Sequence, residues 1–122
     1  MKSLSLNMKK AGIDADSVIS RLGGDVELYM TICLKFINDP TFSNILLAVA
    51  ENNLSEAGIH IHTLKGVSAN LGFIRLKALC DTLLEELKNK SYFDFNIDLC
   101  RLKKDYHSLI SYLKTVHTSN CK

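Results

Sequence analysis

Between Asn53 and Gly72 the chain repeats apolar or small residues at alternating spacings of three and four: Leu54, Ala57, Ile61, Leu64, Ser68 and Leu71. That period predicts one amphipathic helix with its stripe turned to a core, and a stripe this long demands other helices to cover it. The stripe also fixes where everything else on the helix points. At about 100° per residue, His62 lies about 140° from the centre of the stripe, so its imidazole is expected in solvent. Gly58 stands one turn before it, Gly66 one turn after, and small Ala69 a further turn on, all neighbours of His62 on the helix surface. A helix-interior glycine costs roughly 1 kcal/mol relative to alanine. Two such losses beside an exposed histidine suggest that something bulky must reach the imidazole, and Lys65, three residues on, places a positive charge there. Ile59 falls nearly opposite the stripe and next to His62, an exposed apolar residue that fits a docking patch.

The rest of the chain supplies partners for that stripe. Asp14 is positioned to cap a short first helix, which Gly23-Gly24 ends, and Asp25 to cap a second that runs to about Asp39 and buries Tyr29, Ile32 and Phe36. Asp39-Pro40 reads as a break, because the residue before a proline disfavours helix while proline suits a first turn. A segment from Pro40 to about Asn52 then buries Ile45, Leu46 and Val49. Asn53 with Glu56 resembles a capping box opening the central helix. Beyond Gly72 a helix over about 74–88 turns Leu76, Leu79, Cys80, Leu83 and Leu87 inward. A loop is expected around Asn89 to Asn96. The last helix presents Leu99, Leu102, Tyr106, Leu109, Leu113 and Val116, the seam of an antiparallel bundle. The expected fold is all-α: an antiparallel up-down four-helix bundle with a short additional N-terminal helix. It forms one domain over 1–122, with an ordered core over about 12–117 and a frayed tail over 118–122.

Composition narrows the function classes. With 122 residues, nearly half of them apolar, the chain has the size and content of a single globular domain. A net charge of +2 without a basic run does not imply nucleic acid or membrane. The longest uncharged stretch falls well short of the ~20 residues that span a bilayer, and no secretory signal is read at the N-terminus. Cys33, Cys80, Cys100 and Cys121 are scattered without a Cys-x-x-Cys pair, which favours free thiols and a cytoplasmic setting over a zinc or redox motif. Gly-rich nucleotide-binding signatures are absent from the sequence, so no ATP-dependent self-phosphorylation is expected. His60 points about 160° away from His62 and is expected to pack at the flank of the stripe, which also rules out the two chelating one metal. His107 and His117 read as surface or flank residues.

A neutral imidazole is a nucleophile near neutral pH, and a phosphoryl group attached to it needs a counter-charge, which a lysine provides as a mobile point charge. His62-Thr63-Leu64-Lys65-Gly66, followed by Asn70-Leu71-Gly72 and Leu79-Cys80, resembles the signature of histidine-containing phosphotransfer (HPt) domains. The resemblance extends from Gly12-Ile13-Asp14 and Leu22-Gly23-Gly24-Asp25 to the last helix. It implies a four-helix bundle whose exposed histidine carries phosphate between aspartates of response-regulator receiver domains. His62 would be the phosphoacceptor, Lys65 would assist the phosphate, and Gly66 would give the receiver access. Gly58, Ile59 and Ala69, beside His62 on the helix surface, are expected as docking residues by their placement. The implied partners are receiver domains and a hybrid sensor histidine kinase, with no nucleic acid and no membrane contact by this domain, which is expected to be a monomer. No cofactor of its own is implied; Mg²⁺ is expected on the receiver. Phe73 and Leu84 depart from the pattern, where a small residue and a polar one are usual. Two other readings are a helical adaptor without phosphotransfer and the phosphoacceptor segment of a sensor kinase. The second usually has an acidic residue directly after the histidine, where Thr63 stands here.

Overall fold

A computed structural model describes residues 7–120, and their side chains as far as Val116. After a helical turn over residues 7–10 come α1 (Ala15–Arg21), α2 (Val26–Ile37), α3 (Thr41–Ala50), α4 (Leu54–Leu71), α5 (Ile74–Lys88) and α6 (Tyr92–Asn120). Helices α2 and α3 follow one another across a break at Asp39-Pro40. At the break, Asp39 Oδ1 accepts from the Thr41 amide at 2.8 Å, so the residue before Pro40 caps the helix after it. The α2–α3 segment, α4, α5 and α6 close into a four-membered bundle: α3 packs on α4, α4 on α5, α5 on α6 and α6 back on α2. The fold is thus the expected all-α bundle, with α1 as the additional short helix.

The expected stripe is the buried face of α4. Ala57, Ile61, Leu64, Ser68 and Leu71 are buried, and Leu54 is half-buried at the helix start. Across the core they meet Tyr29 and Phe36 from α2, Phe42 and Ile45 from α3, Leu76 and Leu83 from α5, and Leu102 and Leu113 from α6. Tyr106 stacks on Phe42 with ring centroids 3.9 Å apart, tying α6 to α3.

The turn between α4 and α5 is clasped by the N-terminal segment. Gly72 adopts φ +79°, and a Cβ there would stand 2.5 Å from the Asp14 carbonyl oxygen, so only glycine fits. The Asp14 amide donates to the Gly72 carbonyl at 2.7 Å, and Ile13 pairs with Phe73 in an isolated antiparallel bridge. Phe73 is buried against Phe36, which accounts for a large residue at this position. The Tyr29 hydroxyl donates to the Leu71 carbonyl at 2.7 Å, and Arg21 reaches the Asn70 carbonyl at 3.4 Å. Asn70-Leu71-Gly72 is therefore a structural motif, built largely through its backbone.

Several boundaries differ from expectation. Met8 is fully buried, so the packed core starts ahead of residue 12. Helix α6 begins at Tyr92, not after Asn96: Lys90 takes a left-handed φ of +57° and turns the chain without a glycine to announce it. The same helix continues through Asn120, past the point where fraying was expected. The capping box at Asn53 is half formed. Asn53 Oδ1 accepts from the Glu56 amide at 3.1 Å, but the Glu56 carboxylate turns to His60 Nε2 at 3.2 Å, and the Asn53 amide bonds the Ala48 carbonyl. Cys33 and Cys80 pack as small buried residues, whereas Cys100 is exposed. The Cys121 and His117 side chains lie outside the described residues.

Candidate functional site

Helices α4 and α5 are antiparallel about the turn at Phe73, and positions equally far from it on either side come face to face. Lys65 and Asp81, eight residues before and after Phe73, form an ion pair at 2.9 Å. His62 and Leu84, eleven residues either way, line one groove. Further along, the Cβ position of Gly58 lies 3.5 Å from Leu87.

Within this frame His62 is exposed on the outer face of α4, and so is Gly66, where an added Cβ would meet no atom within 4 Å. Gly58 differs from the expectation of an open flank. It is half-buried, and a Cβ there would make ordinary contact with α5, so it borders the α4–α5 seam. Ile59 is 59 % exposed and Ala69 is exposed as well. His60 is half-buried and engaged by Glu56. His107 is exposed and meets Phe42 edge-on at 5.8 Å.

Beside His62 runs a groove of about 620 Å³, lined by Leu54, Ser55, Gly58, Ile59, Thr63, Leu84, Leu87, Lys88 and Tyr92. Its walls are mostly apolar, and Leu84 forms the wall opposite His62. No side-chain hydrogen bond from α5 is available to the imidazole at that position, because leucine has no polar group. Phe93, next to Tyr92 in sequence, is 79 % exposed. The charged end of the seam is different in character. Asp81 Oδ2 accepts a hydrogen bond from Lys77 Nζ at 2.8 Å, while Oδ1 faces Lys65 Nζ. Lys77 first, and Lys65 second, hold the Asp81 carboxyl below the ordinary aspartate range. Among the described residues no group of three or more His, Cys, Asp or Glu side chains is arranged to hold a metal ion.

The sequence profile described as Hpt domain matches residues 38–111, more than half of the chain and a span that includes α4, α5 and the groove. The chain belongs to the Hpt domain family. No curated protein and no solved structure matches it. Membership brings histidine phosphotransfer in two-component phosphorelays as the general activity, and a carrier's role, distinct from a kinase's. No helix among the described residues is long and apolar enough to cross a membrane.

Three features of this Hpt domain escaped sequence reasoning: Asp81 as the partner of Lys65, Lys77 as the second lysine on Asp81, and Lys88 and Tyr92 in the wall of the groove. A signal for the first was present. Counting outward from the helix-ending Gly72-Phe73 turn pairs Lys65 with Asp81 directly, and Lys77 precedes Asp81 by the four residues that make helix neighbours.

Proposed function

We propose that His62 is the phosphoacceptor, taking a phosphoryl group from an aspartate of one receiver domain and passing it to another. The supporting observation is the combination on one face of α4 of an exposed imidazole, an unobstructed Gly66 one turn on, and the Lys65 ammonium on the adjoining seam. In the forward step an unprotonated imidazole nitrogen attacks phosphorus, the P–N bond forms as the acyl-phosphate P–O bond breaks, and the aspartate leaves as carboxylate. The proton on the other ring nitrogen is free to pass to solvent. Phosphoryl transfer is mostly positioning and charge stabilisation, and in this reading Lys65 supplies the carrier's share while the receiver brings the carboxylate and Mg²⁺. The apolar groove with Ile59, Leu84 and Tyr92 seats the receiver, and Gly66 leaves room for its approach. Lys88 at the groove wall offers a cation to the receiver's acidic surface. The partners on this reading are a hybrid sensor kinase and a response regulator in the cytoplasm, with the domain acting as a monomer.

The test is to charge a panel of receiver domains with labelled acetyl phosphate and to follow label onto the wild-type domain and onto His62→Gln. Transfer to wild type from at least one receiver, with none to His62→Gln, is expected. Binding of receivers with no label on the wild type would instead make the chain an adaptor.

A further inference from the structure

We infer that Asp81 is a positioning residue that holds the Lys65 ammonium in reserve and gives it up when a phosphoryl group arrives on His62, an inference that rests on the phosphoacceptor reading above. The two carboxylate oxygens are used unequally. Oδ2 takes a 2.8 Å hydrogen bond from Lys77, four residues back on the same helix. Oδ1 is closed to solvent and pairs with Lys65 Nζ at 2.9 Å across the seam. Asp81 is thus held by Lys77 from its own helix and shared with Lys65 from α4.

That asymmetry has a consequence for charge. Asp81 and a phosphoryl dianion on His62 compete for one ammonium, because Lys65 is three residues from His62 on α4 and directly across the seam from Asp81. In the resting protein the carboxylate wins by default. Once the dianion forms, its larger charge draws Lys65 away. Asp81 is not left as a lone anion, since Lys77 still neutralises it. Lys77 therefore makes the release of Lys65 inexpensive, and Asp81 keeps an otherwise free cation from attracting other anions to the unphosphorylated site. Both side chains of the Lys65–Asp81 pair are a little over one third exposed, which keeps the pair weak enough to exchange.

The experiment phosphorylates the full chain with phosphoramidate, whose P–N bond breaks with loss of ammonia as the imidazole nitrogen bonds phosphorus, and titrates the product by ³¹P NMR. The readout is the second ionisation of the phosphoryl group, near about pH 6 for ordinary phosphates, which a nearby free cation lowers. Asp81→Asn is expected to lower the midpoint by about 0.3 to 0.7 pH units, a two- to five-fold change suited to a half-exposed pair that no longer competes. Lys77→Ala should raise it, because Asp81 then clings to Lys65. In a Lys65→Ala background the Asp81→Asn effect should shrink to less than half, and Asp81→Glu should behave like the wild type. An unchanged or raised midpoint in Asp81→Asn, or the same shift with and without Lys65, overturns the inference while leaving His62 as phosphoacceptor. Failure of phosphoramidate to label His62 at all overturns both.

Discussion

Glycine serves two different purposes on either side of Leu71, and substitution separates them. At Gly66 nothing stands within 4 Å of the missing Cβ. Gly66→Ala is accordingly expected to stabilise the domain by up to about 1 kcal/mol through helix propensity, and yet to slow phosphotransfer, with Gly66→Gln slower still. Stability and function moving in opposite directions mark a residue kept for a site. At Gly72 a Cβ would run into the Asp14 carbonyl, and the backbone is left-handed. Gly72→Ala should lower the unfolding free energy by at least about 2 kcal/mol, from left-handed strain plus the collision. Urea unfolding of the two variants, read beside transfer rates corrected for folded fraction, checks both signs. Lys65→Ala belongs to the same scale. Its half-exposed ion pair is worth no more than about 1 kcal/mol to the fold, whereas loss of a phosphate contact of ~1 to 3 kcal/mol should slow transfer roughly 5- to 150-fold if it acts in the transition state. Single-turnover transfer at wild-type rate would remove Lys65 from the site.

Among the helices, the α5–α6 seam holds a pH-sensitive contact away from His62. Glu86 Oε1 is closed to solvent beside Asp98, which is itself buried and paired with Arg101 at 3.0 Å. Burial first, and then Asp98 and Asp94, push the Glu86 carboxyl up to about 7, against the pull of Arg101. A carboxyl raised in the folded state stabilises the fold fully below its unfolded value near 4.5 and loses that contribution as pH rises through about 7. The urea midpoint should therefore fall between about pH 5 and about pH 8, and Glu86→Gln should flatten that fall. Asp81, whose carboxyl is lowered, acts in the opposite sense and at the acid end, so the two do not overlap. An unaltered slope in Glu86→Gln would place the titration elsewhere.

At the level of the whole molecule, what the sequence revealed is what is local in it. The stripe on α4 was legible because 3.6-residue periodicity survives in one strand of text, and the end of α4 because Gly72 marks it. The α6 boundary was not, since Lys90 makes its left-handed turn without glycine, and neither was the role of Met8, one apolar residue among polar neighbours. His62 and Gly66 were placed on the surface by counting angles, but the approach of Leu87 to Gly58 was not legible, because it comes from another helix. Asp81 went unread for the same reason: an ion pair across two helices exists only once their register is fixed. The proposed phosphotransfer nevertheless turns on one side chain, His62. Labelling the domain from a phosphorylated receiver and mapping the modified residue by mass spectrometry, under alkaline conditions that preserve a phosphoramidate, tests it most directly. Acid-labile, base-stable label on His62 alone, and none in His62→Gln, is expected; label retained in that variant, or found on His60, His107 or His117, would put the phosphoryl group on another residue.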